Sequence, residues 1–74
     1  MIDPTRAMEI ADTEAHARGW GAIDPERYEA EPFEHEGKSV WCVRRKRIVI
    51  GHSLWFMIDA ETGQVMESRY RGPR

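Results

Sequence analysis

The chain has 74 residues, 11 basic and 13 acidic side chains for a formal charge of −2, and one cysteine. A chain this short forms one small α+β domain over residues 1–74, with a core that hides only ~60% of its unfolded surface and no disulfide to reinforce it. The acidic balance argues against a dedicated nucleic-acid binder. The absence of a membrane-length apolar run or a basic, apolar leader, together with the lone Cys42, leads to the expectation of a cytoplasmic protein with no membrane partner.

The first segment predicts a helix from Pro4 to Arg18. Asp3 suits the N-cap, Pro4 the first helical position and Gly19 the stop. Ala7, Met8, Ala11 and Ala15 recur at helical spacing, and a stripe so rich in alanine implies close approach to a sheet. "GWGAIDPE", residues 19–26, is a connection whose Trp20 and Ile23 fold back on the core edge. Residues 27–35 alternate as a strand, and Pro32, which has no N–H to give, makes it an edge strand or puts a bulge there. "EG" at 36–37 marks a turn, and "SVWCVRR" at 39–45 a second strand. "KRIVIGH" at 46–52 reads either as more strand or as an apolar loop. Residues 53–59 form a third strand, "DAETG" at 59–63 has hairpin chemistry, and residues 64–71 return as a fourth. The order predicts an α+β fold in which one N-terminal helix packs on a four-stranded antiparallel meander sheet.

The helix leading to "VWCV", followed by "LWFMIDAETGQV", resembles small PepSY-like domains and the short bacterial proteins called NTF2-fold immunity proteins. The pattern rests on Trp41, Val43, Ile58, Asp59, Thr62, Gly63 and Val65, and covers about residues 7–70. The resemblance implies a protein that binds, inhibits or neutralises another protein. The chain is too short for a complete NTF2 cone, and "RRKR" stands where a polar, glycine-containing loop is expected.

No constellation of nucleophile, base and orienting group can be named, so no enzyme is expected. Cys42 lies between Trp41 and Val43 in an apolar strand and reads as a packed cysteine. His16, His35 and His52 lack ligand spacing, so neither metal nor cofactor is expected. Residues 26–36 hold five glutamates, which read as a charged edge that resists aggregation or, second, as an acidic surface for a basic partner. The basic run Arg44, Arg45, Lys46 and Arg47 reads as a solvated loop, a contact for an acidic protein surface or, less well, a nucleic-acid contact.

The alternation in 54–58 is apolar on both sides. Leu54, Phe56 and Ile58, with Trp41, Val43 and Val65, are expected to face the helix. Val40, Cys42, Trp55, Met57, Met66 and Tyr70 are then expected on the outer face. One helix cannot cover both, and exposed Trp, Tyr and Met mark an interaction surface. The expected function is a small protein-binding module that captures or occludes another protein. Its expected contacts are Arg44, Arg45, Lys46, Arg47, Trp55, Met57, Met66 and Tyr70. A homodimer, closed sheet against sheet and without a separate target, is the main alternative.

Overall fold

A computed structural model describes residues 1–46 and 53–71. Helix α1 spans Pro4–Ala17, and strands β1 (Tyr28–His35), β2 (Lys38–Arg45), β3 (Ser53–Asp59) and β4 (Val65–Arg71) follow. They form one antiparallel sheet in the order β1-β2-β3-β4, the meander that the sequence predicts. Residues 47–52, which include Arg47 and the ambiguous Ile48–Ile50 run, lie outside the described residues. No described helix is long and apolar enough to cross a membrane.

Each end of α1 is set by local chemistry. The Asp3 carboxylate accepts from the Arg6 N–H at 2.7 Å, and Pro4 gives up only an N–H that a first turn leaves unused. At the other end Gly19 takes φ +74, the Gly19 N–H donates to the His16 carbonyl and the Trp20 N–H to the Ala15 carbonyl. That pair of bonds is the Schellman closure, which uses up carbonyls the last turn would otherwise leave bare. Ala7, Ala11 and Ala15 are all fully buried, so the helix axis comes close to the sheet.

The core lies between the alanine stripe and one face of the sheet. It holds Ile23, Tyr28, Val43, Leu54, Phe56 and Ile58, flanked by Trp20, Trp41 and Val65. Two polar handles, one buried and one half-buried, tie its ends. The Trp41 indole donates to the Ile2 carbonyl at 3.0 Å, and the Leu54 N–H donates to the Tyr28 hydroxyl at 3.2 Å. The second bond connects β3 to β1 across β2, near the Arg45 end of that strand.

The turns follow from their residues. Glu36 and Gly37 both take positive φ, 52° and 79°, the mirror-image turn whose twist suits a two-residue hairpin. In the β3–β4 turn, the Asp59 carboxylate accepts from the Glu61 and Thr62 N–H groups at 2.8 and 3.1 Å. Those two bonds hold its carboxyl below the ordinary Asp value. Gly63 sits at φ +78 with the end of Ile10 where a Cβ would go, so this turn packs on the helix.

One irregularity changes the sequence-based placement. Ile58 pairs with Val65, but Met57 pairs with Glu67, so β4 carries an extra residue. Past this bulge the alternation inverts. Tyr70, expected on the outer face, instead lies opposite Leu54 and stacks on Trp20 with ring centroids 5.7 Å apart.

Phe56 is fully buried at the centre of the core. Phe56→Ala removes it and leaves a cavity, and is expected to lower the unfolding free energy by ~3–5 kcal/mol. For a chain of this length that is a large part of a total of roughly 4–11 kcal/mol. Urea unfolding followed by tryptophan fluorescence reads the loss as a lower midpoint.

Candidate functional site: the outer face of the sheet

The face opposite the helix is built by the alternate residues of the four strands. Cross-strand neighbours run Glu31, Cys42, Met57 and Glu67 in one row, with Glu29 opposite Arg44 and Trp55 opposite Arg69 beside it. Phe33 lies opposite Val40 nearer the β1–β2 turn. The result is an apolar strip, Phe33, Val40, Cys42, Met57 and Trp55, bordered on both sides by charges.

Part of the strip is closed by the molecule itself. Met57 is only 6% exposed and Val40 1%. The Arg44 guanidinium donates to Glu31 at 2.8 Å, and Arg69 donates to Glu67 at 3.2 Å. Arg69 also lies 5.2 Å over the Trp55 ring. Long charged side chains thus lay their stems across apolar surface and keep their heads in water. A shallow groove remains, lined by Glu31, Pro32, Phe33, Cys42, Arg44 and Trp55. Phe33 is 54% exposed at its end.

The electrostatics of this face follow from close pairing. A hydrogen bond between the two carboxyls raises Glu29 and lowers Glu31, and the Arg44 guanidinium holds Glu31 lower still. Burial pushes the Cys42 thiol above its ordinary value, while the Trp55 hydrogen bond and Arg44 pull it only part of the way back. A thiol so placed is the opposite of an activated nucleophile, which needs a depressed value. Among the described residues no group of three His, Cys, Asp or Glu is placed to hold a metal ion.

The expected contact residues do not all come together. Arg44 and Trp55 line the groove. Met57 sits beneath it, and Met66 is 40% exposed in β4 beside the bulge. Arg45 points away from Arg44, with its guanidinium 5.7 Å over the Tyr28 ring. The first half of "RRKR" is therefore strand, its two arginines sent to opposite faces by the pleat, and not the basic loop the sequence suggests. Lys46 is exposed just past the strand and its N–H donates to the Arg27 carbonyl. Arg47 lies outside the described residues, and Tyr70 belongs to the helix side. Sequence reasoning missed Phe33 and Arg69. Phe33 was hidden by its glutamate neighbours, and the signal for Arg69 was its place opposite Trp55, which only the bulge reveals.

Comparison with protein-family models, curated proteins and solved structures finds no match.

Cys42 is expected to alkylate with iodoacetamide more slowly than free cysteine at the same mildly alkaline pH. Its raised value leaves less thiolate at any given pH, so the rate profile should reach half-maximum above that of free cysteine measured alongside. A midpoint below that value would contradict the reading of Cys42 as a packed thiol.

Proposed function

We propose that this chain is a small protein-binding module, not an enzyme, that captures or occludes another protein through the outer face of its sheet. The observation that supports this reading is the apolar groove of Phe33, Cys42 and Trp55 between two ion-paired charge sets. The pairs are exposed, and such pairs contribute little to folding, ~0–1 kcal/mol at the median. A partner can therefore rearrange them at small cost. Trp and Arg are the residue types that most often dominate interface energetics. The likeness of the helix–strand–hairpin pattern to PepSY-like and immunity proteins is in keeping with a binding role in the reducing cytoplasm, where a lone free cysteine is at home.

Two other readings are weaker on these observations. A nucleic-acid contact needs a continuous basic stripe, but Arg44 is engaged by Glu31 and Arg45 faces the other side. A sheet-on-sheet homodimer needs a broad flat apolar face, and here Met57 and Val40 are already covered.

The test compares immobilised wild type with Trp55→Ala and Arg44→Glu, each checked for fold by circular dichroism. The expected outcome is that the protein retained by wild type is lost from both variants, the tryptophan change weakening its binding by ~30-fold or more. Equal retention on all three surfaces would refute the proposal.

A further inference from the structure

The two edges of the sheet differ in chemistry. The β1 edge is defended. Pro32 sits mid-strand, and a proline within a sheet turns its missing N–H to the free side, where an added strand would need a donor. Glu29, Glu31 and Glu34 add like charge along the same strand. The β4 edge, Val65–Arg71, has no proline, and its charges have both signs.

The order of those charges is self-complementary. When a strand pairs antiparallel with a second copy of itself about a two-fold axis, residues opposite each other lie on the same face. Glu67 and Arg69 share the outer face, because Glu67 pairs with Met57 and Arg69 with Trp55. Only a few registers keep faces matched. Centring on Glu67 puts Glu67 against Glu67. Centring on Arg69 puts Arg69 against Arg69, and centring on Tyr70 puts Arg69 against Arg71. Centring on Ser68 puts Glu67 against the second copy's Arg69, and Arg69 against its Glu67. It also puts Met66 against Tyr70, and these are two of the exposed large apolar residues. Ser68 is the midpoint of β4, and the bulge limits this register to the stretch inside Val65 and Arg71, which lie on opposite faces. Like charges directly opposite destabilise a strand pair and opposite charges stabilise it, so the charges select one register.

We propose that the β4 edge is an interface for a second copy of this chain, which joins two four-stranded sheets into one of eight strands about a two-fold axis at Ser68. The interface is isologous and closes at two copies. It uses the edge and not the outer face, so it does not rest on the binding role proposed above. Its effect on that face is to bring two Trp55–Arg69 stacks to either side of the axis, on one continuous surface.

The test is the native mass of the full chain by light scattering over a micromolar-to-millimolar series. The expected result is a dimer of twice 8.6 kDa at the upper end. Glu67→Arg alone and Arg69→Glu alone should each weaken it by about tenfold or more, because both symmetric pairs turn repulsive. The double reversal Glu67→Arg with Arg69→Glu restores opposite charges and should recover the dimer. Phe33→Ser, on the outer face at the far edge, should leave it intact. Should a single reversal fail to fold, a salt titration of the unaltered chain serves in its place, with dissociation expected as the charges are screened. A monomer at every concentration overturns the proposal. So does a dimer indifferent to both reversal and salt, a dimer lost with Phe33→Ser, or a mass that grows past two copies as β4 adds to β1 in an open chain.

Discussion

Everything else in this structure depends on one constraint: a single helix of fourteen residues covers one face of a four-stranded sheet and no more. Ala7, Ala11 and Ala15 give the helix no bulk on its buried side. It can therefore sit close enough for Phe56, Ile58, Val43 and Leu54 to fill the space beneath it. The rest of the chain serves that contact. Asp3, Pro4 and Gly19 fix where the helix starts and stops, the Ile2 carbonyl accepts from Trp41, and the Asp59 turn lodges Gly63 against Ile10.

With the helix committed to one side, the described residues cover the other with side chains alone. Arg44 with Glu31, and Arg69 with Glu67, lie over a strip in which Met57 and Val40 are buried but Trp55 and Phe33 are not. This cover differs in kind from the helix. A packed helix is held by apolar burial and leaves only by unfolding. An exposed guanidinium over an indole is held by a weak attraction and moves on a picosecond-to-nanosecond scale. The molecule thus has one face held by packing and one whose cover is held only by exposed charged side chains, and the proposed function rests on that asymmetry.

Most of the fold was legible because its signals are local. Period-two alternation gave the strands, the apolar stripe gave the helix, and glycine at Gly19, Gly37 and Gly63 fell where the backbone needs positive φ. The outer face was less legible because it depends on relations between strands. A bulge adds one residue without changing the composition of β4, so nothing in the alternation of 65–71 announces that Tyr70 returns to the helix side while Arg69 meets Trp55. The "RRKR" run misled for a related reason. Charge clustering in sequence suggests a shared surface, whereas two adjacent strand residues necessarily point to opposite faces. Met57 looked exposed because its burial comes from neighbouring strands and from charged stems, neither of which its own segment reveals.

If the two faces of the sheet have different purposes, adjacent residues separate them. Trp55 and Phe56 are neighbours in β3 that point to opposite sides. The most direct measurement is the urea unfolding midpoint of the double variant Trp55→Ser with Phe33→Ser, which strips the outer groove and leaves the core untouched. The expected result is a stability within ~1 kcal/mol of wild type, as for surface positions kept for binding and not for folding. A loss of several kcal/mol, comparable to emptying a core site, would mean that the outer face is part of what holds the protein together, and would contradict that difference in purpose.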